Sequence, residues 1–378
     1  MINIIIILIF ILPWLIIPNN NLPDPTRLIK ATVYDVGMMA IIAMAVINGI
    51  KFEYKNKYLG WIAIALLAGF VFNWYYPLVM GFGYNAGTIE GNLHFILTLM
   101  ATFCICSVIE RNDFVRIAKA IVISTTLVVC FAFLQVIGLD PMKRLANYRY
   151  DELRHVCALL DHPDILGNYI AIGLPFFLYL LRPKYIIPLI LLGIVLFFVH
   201  SSLSIIAAIF STIVFYALKH RTSKKWKMVL LASVVGLTAL CFNPVFNKSG
   251  GGFTGRWAAW HEILGRSNNP IFGQGIGIVK SYGVVLGRNN QWIFAHNDYI
   301  EMYCAGGVIL LFLFTLLVIH SIRNFNYKQD NVLGFAYLSS FISFLIVMFG
   351  SFPMEIAPLA LGGLIAFIGV EKLSRRIE

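Results

Sequence analysis

The chain is short of charge, and that shortage decides its class. Only 12% of its 378 residues are Asp, Glu, Lys or Arg, against 59% hydrophobic, and the mean hydropathy is +0.81. By length alone the chain would make two soluble domains, but this composition overrules that expectation. Cysteine is scarce as well. Cys104, Cys106, Cys130, Cys241 and Cys304 fall within or beside apolar runs, and Cys157 stands alone in a polar segment. No intramolecular disulfide framework is expected. No Asp-x-Asp pair occurs anywhere, so metal-assisted nucleotide-sugar chemistry lacks its obvious ligands. Low-complexity tracts and internal repeats are absent too.

What the chain has is long apolar runs. A run of about 20 apolar residues crosses a bilayer as a helix. Twelve candidate spans can be counted: Ile2–Ile17, Val33–Ile50, Tyr58–Pro77, Leu93–Ile109, Ile117–Gly138, Ile165–Leu181, Tyr185–Val199, Ser202–Leu218, Met228–Phe242, Tyr299–Ser321, Val332–Gly350 and Glu355–Val370. Hydrocarbon tolerates no unpaired backbone groups, so the expectation is an all-α polytopic membrane protein. The runs are continuous rather than alternating, which excludes a β-barrel. Ile2–Ile17 lacks a basic lead and a small-residue cleavage site, so it reads as a retained first helix. The chain divides into helices 1–5 (1–138), an outer loop (139–164), helices 6–9 (165–242), a large loop (243–298), and helices 10–12 with a tail (299–378).

Lysine and arginine in short loops set orientation. With both termini inside, the inner loops carry Lys51, Lys55, Lys57, Arg111, Arg116, Lys119, Arg182, Lys184, Lys219, Arg221, Lys224, Lys225, Lys227, Arg323 and Lys328. The outer segments Leu78–Asn92, His200–Ser201 and Ser351–Met354 carry none. The net charge of +11 is then mostly topology, and nucleic acid is not implicated.

The large loop breaks this pattern. It holds Lys248, Arg256, Arg266, Lys280 and Arg288, with Glu262 as its only acid before the next helix. Basic residues on the outer face point to a negatively charged ligand. Within the loop, Arg256–Arg266 has helical periodicity, with Trp257, Trp260 and Leu264 near one face and Ile263 extending it, as in an interfacial amphipathic helix. Gly273, Gly275 and Gly277 lack the spacing of a dinucleotide loop and suggest a turn or a close backbone approach.

His296 ends the loop at the expected water–membrane boundary. Histidine can be neutral at physiological pH and accept a proton from a hydroxyl. The competing reading is a capping or interfacial histidine. Asn297 or Asp298 would orient it or cap the next helix. Arg256 offers a planar fork matched to phosphate oxygens. Arg154, followed by His155, is a second such candidate from the other outer loop. Arg266, Arg288 and Lys280 are weaker ones. Asp161-His162-Pro163-Asp164 has metal-ligating residue types, but its spacing matches no standard site and Pro163 suggests a turn. Asp35, His94, Glu301 and Glu355 fall near helix ends, where water is expected to reach them. No metal and no cofactor is expected.

Gly255-Arg256 with Trp260, then Pro270 with Gly273 and Gly275, then His296-Asn297 opening a membrane helix resembles the O-antigen ligase and polymerase superfamily. Arg154 through Asp164 to Gly167, and the pair Gly306-Gly307, fit the same pattern. In one departure, Leu203 in Ser201-Ser202-Leu203-Ser204 stands where members often carry an arginine. The resemblance implies a metal-independent membrane glycosyltransferase working on the periplasmic face of the bacterial inner membrane. Its donor would be a glycan on undecaprenyl pyrophosphate. His296 and Arg256 would be catalytic. Arg154, Arg266, Arg288, Lys280, Trp260 and Asn297 would bind pyrophosphate or glycan. A ligase would deliver to lipid A core, and a polymerase to another lipid-linked repeat unit. Transfer to a protein is a third variant. A transporter of lipid-linked sugars is the alternative of a different class. It would call for repeats and broken helices, and the sequence displays neither.

Overall fold

A computed structural model describes residues 1–15, 25–50, 57–65, 86–139, 156–160, 162–220, 253–275, 278–281, 284–286, 290–292, 295–327 and 331–373. The described helices are α1 (Ile2–Ile11, extended by a 3-10 turn Leu12–Trp14), α2 (Pro25–Ile47), α3 (57–65), α4 (Ala86–Val108), α5 (Arg111–Val136), α6 (Pro163–Tyr179), α7 (Ile186–Phe198), α8 (Ser202–Lys219), α9 (Phe253–Gly265), α10 (Asp298–Arg323), α11 (Val332–Met348) and α12 (Ala357–Leu373). Four are long and apolar enough to cross a membrane: Leu28–Ile47 of α2, α5, α8 and α10. Shorter apolar helices accompany them. The expected third span runs past residue 65 and the ninth, Met228–Phe242, lies wholly outside the described residues.

The fold is helical apart from one small element. Val284–Leu286 (β1) pairs antiparallel with Asn290–Trp292 (β2) inside the large loop. This hairpin qualifies the all-α expectation.

At the centre, α11 packs on α6, α8 and α12, and α6 packs on α8. Small residues make this possible, because membrane helices associate through close backbone approach rather than through apolar burial alone. Ser339, Ser340 and Ser343 of α11 are buried. Ser340 donates to the carbonyl of Ile172 at 2.7 Å. Tyr337 crosses to α5 and donates to Phe114 O at 2.8 Å.

Helix ends gather at one end of the bundle, called the loop end below. Lys30 of α2 is buried and donates to Leu159 O at 2.5 Å. Gln135 near the end of α5 accepts from the amides of Cys157 and Ala158. His162 caps α6, with its Nδ1 accepting from Asp164 N at 3.2 Å. The turn reading of this stretch therefore fits, while Asp161 itself lies outside the described residues.

The most unusual element is α10. Its course breaks at Gly307, which has φ 64° and ψ −165°. The break is filled by the large loop. Amides of Gln274 and Gly275 donate to Cys304 O (2.7 Å) and Ala305 O (2.8 Å). Val308 N in turn donates to Pro270 O (2.8 Å). A loop segment is thus spliced into a helix, and backbone groups that the break would orphan are paired. Gly273 and Gly275 have positive φ, as a close backbone approach requires. A Cβ at Gly273 would overlap the backbone of Ala305, and one at Gly307 the carbonyl of Ile271. The close-approach reading of the glycine row therefore describes Gly273 and Gly275, while Gly277 lies outside the described residues. The absence of a broken helix, as read from the sequence, does not survive.

Candidate active site

Four contacts converge on the short connection between α11 and α12. Phe349 meets the Trp260 ring edge-on, 5.9 Å between centroids. The carbonyl of Gly350 accepts from Nη1 of Arg256 at 2.7 Å. Phe352 meets His296 edge-on at 4.8 Å. The amide of Met354 donates to Oδ2 of Asp298 at 3.1 Å. This six-residue stretch holds α9 on one side and the start of α10 on the other.

Arg256 sits near the start of α9. Its Nη2 lies 3.9 Å from Oδ2 of Asp164, at the N-terminus of α6. Burial pushes its guanidinium below the ordinary arginine value, and the charge of Asp164 opposes that shift. The guanidinium stays charged at any working pH. A half-buried cation with a single weak anionic neighbour among the described residues is suited to binding an anion. Leu203, at the start of α8, touches the same spot. A Cβ at Gly350 would lie 2.9 Å from Cδ2 of Leu203 and 3.3 Å from Nη1 of Arg256.

Trp260 is 5% exposed and donates from Nε1 to Ala295 O at 2.6 Å. Trp257 is 68% exposed. The buried face of α9 is therefore Ala259, Trp260 and Ile263; of the expected stripe Trp260 and Ile263 are buried, while Trp257 and Leu264 are exposed. Periodicity gave the helix correctly but could not weigh its two tryptophans.

His296 has φ 51°, in the left-handed region. Non-glycine residues adopt it rarely, histidine more readily than most. Its neighbours fix this conformation. Asn297 is buried and caps α10, accepting from Tyr299 N (3.0 Å) and Ile300 N (3.2 Å). Glu301 accepts from Ala295 N at 2.6 Å. Asn297 thus acts as the cap, one of its two sequence readings.

The remaining candidates divide. Arg266 folds back on Glu262 one turn earlier, Nη2 to Oε1 2.7 Å. Lys280 belongs to the single turn Ile278–Ser281, and only its own backbone is described. Arg154 and Arg288 lie outside the described residues. Phe349, Gly350 and Phe352 were missed from the sequence. A signal was available for the rings alone: two aromatic residues flank a Gly-Ser turn in a short connection without lysine or arginine.

Comparison with known families bears on this arrangement. Residues 187–315 match the family model described as O-antigen ligase. Over that stretch, about a third of the chain, the sequence is similar to the O-antigen ligase family. This supports the superfamily reading of the sequence motifs. The matched stretch starts in α7 and ends in α10, so it includes Arg256, Trp260, the spliced segment and His296. Asp164 and the α11–α12 connection complete the site from outside the matched stretch. No curated protein matches the chain.

Proposed function

We propose that this protein transfers a glycan from undecaprenyl pyrophosphate to an acceptor hydroxyl, as an O-antigen ligase with lipid A core as acceptor. The observation that carries the reading is the shared anchor. Arg256 and His296 stand far apart in the sequence, yet they contact Gly350 and Phe352, two residues apart on one connection.

In this reading His296 takes the proton from the acceptor hydroxyl. The freed oxygen attacks the anomeric carbon from the face opposite the leaving group, and the configuration inverts. The bond from that carbon to the phosphate oxygen breaks, and the pyrophosphate leaves with both electrons. Arg256 meets the growing negative charge with fixed donors, which is where an enzyme gains most. Asp164, Trp260 and Asn297 act as positioning residues. Arg154, Arg288, Lys280 and Arg266 supply basic charge around the donor. No metal takes part.

The twelve-span topology belongs to the same proposal. Both termini are cytoplasmic, and the loop end faces the periplasm of a bacterial inner membrane. The basic large loop then faces the lipid-linked donor, whose tail remains in the bilayer. The polymerase reading differs only in its acceptor, another lipid-linked repeat unit.

The test is transfer in detergent from undecaprenyl-pyrophosphate-linked glycan, with EDTA present. Lipid A core and lipid-linked repeat units are supplied separately. Product on lipid A core, lost in folded His296→Ala and Arg256→Ala, supports the proposal. Product on repeat units alone makes the protein a polymerase. Intact donor binding with no product on either acceptor overturns both.

A further inference from the structure

His94 of α4 and Asp35 of α2 form a part-buried pair, Nδ1 to Oδ1 2.8 Å. Water was expected to reach both, but His94 is 8% exposed and its ring stacks on Tyr34 at 4.8 Å. An ionised carboxylate only accepts, so Nδ1 carries the proton. The other ring nitrogen, Nε2, is buried and has no hydrogen-bond partner among the described residues. A buried polar atom in that condition calls for an explanation, a missing ligand among them.

His94 lines a half-open cavity of about 150 Å³. Its walls include Phe95 of α4, Met302, Phe314 and Leu317 of α10, and Phe367 of α12. Thr98 and Thr102 also line it, but their hydroxyls donate to the carbonyls of His94 and Thr98. From Met302 to Leu317 the wall follows α10 for about 20 Å at the helical rise. A cavity of this volume holds about one small ring, the size of one isoprene unit, and its open side leaves room for the chain to continue. Met354 also lines it, and Met354 N is the donor to Asp298. The cavity therefore ends against the segment that carries His296.

We propose that this cavity holds the first isoprene units of a polyprenyl phosphate, with Nε2 of His94 donating to a phosphate oxygen. Asp35 compensates the second proton that the ring then carries, which gives a charge-assisted hydrogen bond in an apolar wall. Phenylalanine rings on three helices suit a branched, unsaturated chain. The inference rests on the transferase reading above and adds where its carrier lipid lies and which residue marks the phosphate end.

The test uses the full chain in detergent and a diazirine-bearing farnesyl phosphate, with cross-links mapped by mass spectrometry. Labelling of Phe314, Leu317 or Phe367 is expected. Farnesyl phosphate should compete strongly, and farnesol and a lysophospholipid weakly. His94→Gln, checked by its melting temperature, keeps an amide donor but loses the ring's charge, and should weaken binding about tenfold. Leu317→Trp fills the cavity and should abolish labelling, and it decides the matter if the histidine variant does not fold. Labelling elsewhere, equal competition by lysophospholipid or farnesol, or unchanged binding in folded His94→Gln overturns the proposal. Binding needs no turnover, so failure of the transfer assay with labelling intact would count against the transferase reading alone.

Discussion

The ring of His296 meets the ring of Phe352 nearly at right angles, with 4.8 Å between centroids. One residue lies inside the stretch that matches the O-antigen ligase model and the other beyond it. The contact sets the imidazole against the same connection that accepts the Arg256 hydrogen bond.

His296→Asn separates the base from the backbone. Asparagine tolerates the left-handed conformation that His296 adopts, so the turn before α10 should survive. Transfer should fall by about 10²–10⁴, the usual contribution of a general base, with melting unchanged. Full activity in the Asn variant would remove the base assignment.

Arg256→Ala leaves the carbonyl of Gly350 without its donor. The expected cost is about 1–3 kcal/mol of stability, read as a lower melting temperature in detergent. Arg256→Lys keeps the charge but loses the fork. It should melt close to wild type while donor KM rises. Equal losses of stability in the two variants would reduce Arg256 to a structural clamp.

Gly307→Ala should be among the most damaging substitutions in the chain. The positive φ and the carbonyl of Ile271 both oppose a side chain there. A loss of about 3 kcal/mol or more is expected. Gly273→Ala should act similarly from the other side of the splice. Gly49, also at positive φ but with open space around it, gives the control. Gly49→Ala should cost less.

Transfer should be indifferent to EDTA and to added magnesium, with both measured on the same preparation as initial rates. A rate that EDTA abolishes and magnesium restores would overturn the metal-independent mechanism.

The helices were legible because their cores are continuous apolar runs. Tyr299–Ser321 was expected where Asp298–Arg323 is found, and Val332–Gly350 where Val332–Met348 is found. The start of α2 was placed too late, since Arg27 and Lys30 ended the apolar run while the helix continues through them from Pro25. Arg256 and His296 were legible from residue type and loop position. Their common anchor was not, because Gly350 contributes only a carbonyl. The splice was hidden for the same reason. Backbone pairing between Pro270–Gly275 and Cys304–Val308 leaves no mark in the sequence beyond a few glycines, which fit many turns equally well. The pairing of Asp35 with His94 joins residues 59 positions apart, a distance that no local pattern spans.

The splice at Gly307 also sets a rule for exchanging parts between relatives. A loop that completes a helix cannot be cut out at its apparent ends. A chimera joined just before His296 would bring a foreign segment to the gap in α10, and its amides would have to match carbonyls chosen for another partner. The smallest portable unit runs from Asn269 to Ile309 and takes the upper part of α10 with it. Inheritance should respect the same boundary, with insertions between relatives falling before Asn269 or inside the hairpin rather than within Pro270–Gly275.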